Sequence, residues 1–267
     1  MASLKASSRT KFKQSGKTQP TTKEVFKARA KKEVHVRTWA GKTNPETNFS
    51  PIPKGAIVGI CDALLSKAGN TWYYIKYKGH YGFAYSGHFQ SVSRNALKFI
   101  EHLNEFHDFV KEHGDKFIYK FESDLDSFSK MKARVKSGKK AGMTCLVPMA
   151  LALRAMGIKR ADGKIWVSGN LGSFKHHYTG GVKKNFNRIT SGGAIGLTPK
   201  QAIDRNLLKP GDMLAFKDKT HTACYTGKGY TMFDGGHNSM KAGKHTGIKA
   251  DYENYKHKIS EILRWKE

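Results

Sequence analysis

Cysteine is scarce in this chain. Its 267 residues include three, Cys61, Cys145 and Cys224, an odd and widely spaced set that argues against a disulfide framework. Long apolar runs are missing too. No stretch approaches the roughly 20 apolar residues that a helix needs to cross a bilayer, so no membrane span is expected. The opening residues, MASLKASSRTKFKQSGK, hold no apolar core of the kind a secretory signal carries. Synthesis in the cytoplasm without a signal peptide is the expectation, and action elsewhere would require a separate means of release. Acidic residues are the third scarcity. Asp and Glu number 21 against 48 Lys and Arg, a formal net charge of +27. Such an excess speaks of partners rather than of fold. Three polyanions suit it: nucleic acid, an anionic membrane surface, and a bacterial wall with its teichoic acid and peptidoglycan carboxylates. The basic residues are spread along the whole chain, so a solvated basic surface is the plainer reading. No aromatic–basic motif of a known nucleic-acid module is present, and basicity alone is weak evidence for one. A specific nucleic-acid partner is therefore not expected.

Enough apolar residues remain for a core: 38% are hydrophobic and 11% aromatic. Residues 1–33, rich in Lys, Ser, Thr and Gln without apolar periodicity, read as a disordered basic tail. From Val34 short alternating runs appear: VHVRTW, GAIVGICDALL, TWYYIKYKG and YGFAYSGHF, separated by breaks such as Pro53–Gly55 and Ala68–Asn70. Period-2 alternation of aromatic and β-branched residues argues for strands. Several short strands in close succession suggest a small barrel over 34–92. Val36-Arg37, Pro53-Lys54-Gly55, and the run from Gly69 to Phe83 with Trp72, Tyr73, Tyr77, Gly79, Gly82 and Phe83 resemble a bacterial SH3-like domain. The resemblance implies a module that binds cell-wall peptidoglycan beside a lytic domain. Trp72 and Tyr74 would then be substrate-binding platforms for sugar or peptide; the plainer alternative is that both are barrel core.

Residues 95–136 read as a helical connector. Leu97, Ile100, Leu103, Phe106 and Val110 make an apolar stripe at helical spacing, Gly114 closes the first helix, and a second segment runs from about Ser123 to Val135. His102, His107 and His113 in this stretch read as solvated.

The chemistry-bearing residues come later. Cys145 opens an apolar, helix-patterned run in which Met149, Ala152, Leu153 and Met156 share a face and Gly157 ends the helix. Thr144 is placed to cap it, and Pro148 falls at the end of the first turn. Thiolate is the reactive form of a thiol, and a helix N-terminus favours negative charge. A buried core thiol fits the same pattern. Further on, Pro210-Gly211-Asp212 feeds an apolar strand, His221 begins another, Gly227 and Gly229 make a hairpin turn, and Asp234 ends the strand after it. Across an antiparallel hairpin His221 and Asp234 can be neighbours. An imidazole beside a thiol takes its proton and later returns it to the leaving group, and a carboxylate orients the imidazole. Asp234 and His237 compete for that third place. A zinc set of Cys145, His221, Cys224 and His237 has suitable donors, but residues three apart on a strand face opposite ways. Neither metal nor cofactor is expected, and Cys61 and Cys224 read as core residues.

Cys145, Met156-Gly157-Ile158, Pro210-Gly211-Asp212 and His221 through Gly229 resemble, in that order, the papain-like cysteine peptidases of the NlpC family and the related CHAP amidases. The resemblance covers about residues 140–240. It implies that Cys145 attacks an amide of a peptidoglycan stem or crosslink, with His221 as base and then acid and backbone N–H groups at the helix start holding the oxyanion. His176 and His177, in the long insert before Leu208, would line the substrate cleft or sit solvated in a loop. Thr144 and Leu146-Val147 depart from the Asp or Asn before the cysteine and the Ser-Gly after it that the family often shows.

The expected fold class is thus α+β. A small SH3-like β-barrel is followed by a papain-like α+β domain over 137–267, its nucleophile helix packed on an antiparallel sheet. The implied protein is a monomeric peptidoglycan hydrolase, a cysteine peptidase or amidase of the endolysin or virion-associated kind, from a bacteriophage. It would act at the bacterial wall on peptidoglycan and anionic wall polymers. The rival is a non-catalytic wall- or nucleic-acid-binding protein with a degenerate peptidase-like domain. The enzyme reading needs the sulfur of Cys145 and the imidazole of His221 within hydrogen-bond reach in an accessible groove.

Overall fold

A computed structural model describes residues 7–8, 20–66, 68–120, 122, 126–163, 173–217 and 221–266. They form two compact units, Met1–Arg94 and Asn95–Lys266. Both are built mainly on antiparallel sheets, and the few helices belong to the second. Among the described residues no helix is long and apolar enough to cross a membrane.

The first unit holds β1 (Ser7–Ser8), β2 (Phe26–Ala30), β3 (Ile57–Leu65), β4 (Thr71–Tyr77), β5 (His80–Tyr85) and β6 (Phe89–Val92). The sheet order is β5-β4-β3-β2-β6, with β1 added in parallel to β3. β3 lies inside the sheet and is buried almost throughout, which is why it reads as a continuous apolar run. β4 and β5 join through Lys78 and Gly79, whose φ angles of 48° and 86° suit a two-residue hairpin turn. β2 corrects the sequence reading, which placed these residues in the disordered tail 1–33. It pairs with both β3 and β6. Phe26, Ala28 and Ala30 are buried and alternate in sequence with Lys27 and Arg29, although Arg29 is buried as well. Two alanines carry little hydrophobic weight, and the surrounding lysines mask them. Residues 1–6 and 9–19 of the same stretch lie outside the described residues. The core gathers Ala28, Val34, Val36, Ile52, Ile60 and Ile75.

The second unit begins at Asn95, so the stretch read as a connector belongs to it. Helix α1 (Arg94–Glu112) buries Ala96, Phe99, Leu103, Phe106, Phe109 and Val110. The inward stripe is thus turned about one residue from the expected one, and Leu97 and Ile100 sit at its margin, half-buried. The heavier aromatic side decides the rotation, because Phe106 and Phe109 pack edge-on against Phe117 and Phe128. α1 stops at Glu112, and Gly114 opens a short 3-10 turn that abuts the backbone carbonyl of His245. Next come β7 (Phe117–Ile118), α2 (Phe128–Lys136) and β8 (Ala141–Gly142), β7 and β8 pairing in parallel. Ser127 caps α2, accepting from the Lys130 N–H; the segment from Ser123 to 125 lies outside the described residues.

The remaining elements are α3 (Val147–Ala155), α4 (Gly180–Asn185), β9 (Phe186–Ile189), α5 (Pro199–Asp204), β10 (Met213–Phe216), β11 (Thr222–Tyr225), β12 (Thr231–Phe233), β13 (Met240–Lys241), β14 (Lys244–His245), β15 (Lys249–Asp251) and β16 (Ile259–Trp265). The main sheet runs β15-β12-β11-β10-β16-β9. Every neighbour in it is antiparallel. Leu214, Phe216, Ala223, Tyr225, Met232 and Ile262 form one core with Ala202 and Ile203 of α5. Asp212, just before β10, is buried and held by Arg264 at 2.6 Å, so the Pro-Gly-Asp turn is tied to the neighbouring strand β16.

Candidate active site

Three chain segments meet at one end of the second unit. The first is the turn before α3. Pro148 sits in the first turn of α3, where its missing N–H costs nothing. That preference sets the helix start at Val147, two residues later than expected. Cys145 therefore lies in the turn ahead of the helix. Thr144 does not cap with its side chain; its carbonyl accepts from the Val147 N–H at 3.1 Å. The second segment leads into β11, with His221 immediately before the strand. The third leaves β12, with Asp234 immediately after it. The pairing of Cys224 with Phe233 brings these two strand ends together, and Asp234 is tied to the next strand by its N–H donating to the Ile248 carbonyl at 2.6 Å.

Two glycines permit the approach. A Cβ on Gly235 would lie 2.6 Å from the Thr144 carbonyl and 2.8 Å from the Pro148 ring. A Cβ on Gly236 would lie 2.9 Å from Asp234 Oδ1, 3.3 Å from His221 Cε1 and 3.4 Å from Cys145 Cβ. Any side chain at either position would push the strand exit away from the cysteine turn. The same numbers locate Cys145, His221 and Asp234 around a single point.

Asp234 is fully buried and well supplied with donors. Its Oδ1 accepts from the Gly236 N–H at 2.6 Å. Its Oδ2 accepts from the Tyr252 hydroxyl at 2.8 Å and from Asn238 Nδ2 at 2.9 Å, and lies 3.3 Å from His221 Nε2. Burial alone would push this carboxyl up, but the His221 hydrogen bond and charge, with Tyr252 and the Gly236 amide, hold it below its usual range. His221 Nε2 also stands 2.7 Å from the Tyr252 hydroxyl. Its ring is stacked near Phe216 and Tyr252, with interplanar angles of 22° and 9°. Burial pushes the imidazole down; hydrogen bonds and charges from Asp234 and from Cys145 outweigh it and raise it to about 9. With Nε2 engaged by Asp234 and Tyr252, Nδ1 is the nitrogen left for the thiol.

Cys145 itself is buried, with 0% exposure. The expected accessible groove is not what the structure presents. The sulfur is not sealed in hydrocarbon either. His221 Cε1 and Cys145 Cβ both lie against the same point, 3.3 and 3.4 Å from the Gly236 Cβ position, so polar groups stand beside the thiol. Tyr119, 42% exposed, packs against the His237 ring, tilted by 35° with centroids 4.0 Å apart. His237, the rival for the third place, thus lies against Tyr119, while the carboxylate beside His221 is that of Asp234.

The other expected site residues fare differently. Trp72 is 4% exposed and packs with Ala40, Leu64 and Phe83; its large ring completes the first unit's core instead of forming a platform. Tyr74 is half-buried on the same cluster and stacks on Tyr81 at 5.7 Å and 21°. His177 is 3% exposed, so it does not line a cleft. Burial, with Arg160 nearby, lowers it to about 4. Cys224 is buried in β11, and burial raises its thiol well above the usual range. Among the described residues no cluster of three or more His, Cys, Asp or Glu is arranged to hold a metal ion. Tyr252, Asn238 and the glycine pair were not singled out from the sequence. The run Asp234-Gly-Gly-His-Asn238 carried a usable signal, since paired glycines beside a polar residue mark a close backbone approach. Nothing in the residues around Tyr252 distinguishes it.

No protein-family model matches the chain, and no curated protein matches it. Among solved structures it is similar to NlpC1 from Trichomonas vaginalis, at 14% identity over 91% of this chain and 70% of that one, with a TM-score of 0.35. It is likewise similar to NlpC2 from Trichomonas vaginalis, at 15% identity over 91% and 73%, with a TM-score of 0.31.

Proposed function

We propose that the protein is a cysteine hydrolase, a peptidase or amidase, that cleaves an amide bond of peptidoglycan. The observation that carries the reading is the convergence of Cys145, His221 and Asp234 around Gly236. A buried thiol, an imidazole raised to about 9 and a buried carboxylate behind it form the nucleophile, base and orienting group of thiol catalysis. In the proposed reaction Cys145 gives its proton to His221 Nδ1 and the sulfur attacks the amide carbonyl carbon. The oxyanion is held by backbone N–H groups at the turn before α3, that of Cys145 among them. His221 then protonates the leaving amine as the C–N bond breaks, and water, deprotonated by the same imidazole, hydrolyses the thioester. Because Cys145 is covered, the cycle requires the side chains over it to move before a substrate enters.

The substrate class rests on the resemblance of the cysteine and histidine segments to wall peptidases, on the SH3-like pattern of the first unit, and on the net charge of +27. That charge would hold the protein on an anionic wall, more weakly as salt rises. Tyr74 and Tyr81 offer a stacked aromatic pair in the first unit for wall contact. A second reading, a non-catalytic wall- or nucleic-acid-binding protein, is favoured by the full burial of Cys145. Turbidity loss of purified Gram-positive walls separates the two. The enzyme clears them and Cys145→Ala loses at least about 10³-fold of the rate; equal clearing by both chains removes the thiol mechanism. A gel shift with duplex DNA at physiological salt tests the nucleic-acid branch.

A further inference from the structure

We infer that Tyr252 is a positioning residue for His221: its hydroxyl bridges the imidazole and Asp234 and fixes the ring in the tautomer that bears hydrogen on Nε2. The inference rests on the proposed Cys145–His221 pair and concerns what holds that pair in its working form.

The distances single out the phenol. His221 Nε2 is 2.7 Å from the Tyr252 oxygen and 3.3 Å from Asp234 Oδ2, so the closer neighbour is the tyrosine. The phenol has one proton to give. It goes to Asp234 Oδ2 at 2.8 Å, because a carboxylate with no exposure needs every donor within reach. Asn238 Nδ2 lies 3.2 Å from the same phenol oxygen as a donor; it is also 3.3 Å from His221 Nε2, but its two hydrogens go to the nearer oxygens, this one and Asp234 Oδ2 at 2.9 Å. The oxygen is therefore left only as an acceptor toward His221, and Nε2 must carry a hydrogen. In the neutral ring the lone pair is then on Nδ1, the nitrogen left to act as base toward Cys145. In the protonated ring the same oxygen stabilises the cation, and the carboxylate polarises it from behind.

The setting suits this role. Tyr252 is fully buried. Its ring lies 4.4 Å from Tyr255 and 6.1 Å from Phe216. Its N–H donates to the Tyr230 carbonyl at 3.0 Å, which anchors the residue just past β15. Neighbouring rings and backbone thus hold the hydroxyl in place independently of its own hydrogen bonds. Replacing Tyr252 by Phe keeps the ring and removes only the bridge.

The test uses the full chain labelled with 15N- and 13C-histidine, with the His221 ring signals identified by their loss in His221→Gln. In the wild type the neutral ring is expected as the Nε2–H tautomer. Hydrogen on Nδ1 instead overturns the inference with no variant needed. In Tyr252→Phe the titration midpoint is expected to fall by about one pH unit, the size of one hydrogen bond to a charged group, and Nδ1–H signal to appear. An unchanged midpoint and tautomer in a variant that still melts cooperatively overturns it as well. On walls, Tyr252→Phe is expected to lower the maximal clearing rate about 10-fold at unchanged half-saturation, because it alters the base and not the binding of substrate. The two readings fail separately. A wild type that clears no wall but shows the expected tautomer removes the peptidoglycan reading and leaves Tyr252 in its role. A wild type that clears walls with a ring indifferent to Tyr252→Phe removes the role alone.

Discussion

His221 and His245 lie in the same unit, both largely out of water, and their protons are held in opposite ways. His245, on the β13–β14 hairpin, is 2% exposed. Its Nδ1 is 3.3 Å from the Ser239 hydroxyl, and among the described residues its Nε2 has no hydrogen-bond partner. Burial lowers it to about 4. His221 suffers the same desolvation and is nevertheless raised to about 9. Asp234 acts on both rings through its charge, but only His221 touches it, and only His221 reaches Cys145. Burial by itself makes a neutral core histidine. A buried carboxylate in contact, with a thiol on the other side, makes a ring that can hold a proton. The site is defined by this difference in partners and not by depth.

The strongest way to break the contrast is Asp234→Asn, which keeps the shape and removes the charge. His221 should then move toward the behaviour of His245, and wall clearing should fall about 10³-fold while Cys145 stays in place. Clearing that falls less than about threefold would show that the carboxylate does not govern the ring.

A smaller effect sharpens the contrast through stability. His245 and His177 are both lowered to about 4, below the unfolded value near 6.5. The unfolded chain therefore binds more protons as pH falls from 6.5 to 4, and stability drops there, by up to about 3 kcal/mol for each ring. His221 has the opposite sign. Its folded value lies above the unfolded one, so its contribution is complete below about 6.5 and is lost as pH rises through 9. His88 and His107 are lowered by burial too, so one ring on the alkaline side stands against four on the acid side, and the melting temperature should fall less steeply on the alkaline side. Cys145→Ala should flatten the alkaline limb and leave the acid limb alone, and His245→Gln should do the reverse. Identical limbs in all three chains would remove the assignment.

Much of this was legible from the residues. Periodicity and turn residues put Cys145 at the start of an apolar helix, His221 at the start of one strand and Asp234 at the end of the next; each lies one or two residues outside its element, and strand pairing brings them together. Tyr252 was not legible. It lies past another strand in a polar, tyrosine-rich stretch, and only the fold brings its hydroxyl to Asp234. The burial of Cys145 was hidden for a similar reason, since it is made by residues distant in sequence. β2 escaped notice because two alanines among lysines carry a strand's period without its usual hydrophobic weight. Trp72 shows the converse: a large aromatic invites a binding role, and its position in the pleat gives it to the core.

One titration decides most directly whether His221 is a catalytic base: that of its ring in the intact wild-type chain. A midpoint near 9, falling when Cys145 is replaced by Ala and falling further in Asp234→Asn, is the predicted result. A midpoint at or below 6.5 that ignores both substitutions would contradict it, and would make His221 a buried histidine of the same kind as His245.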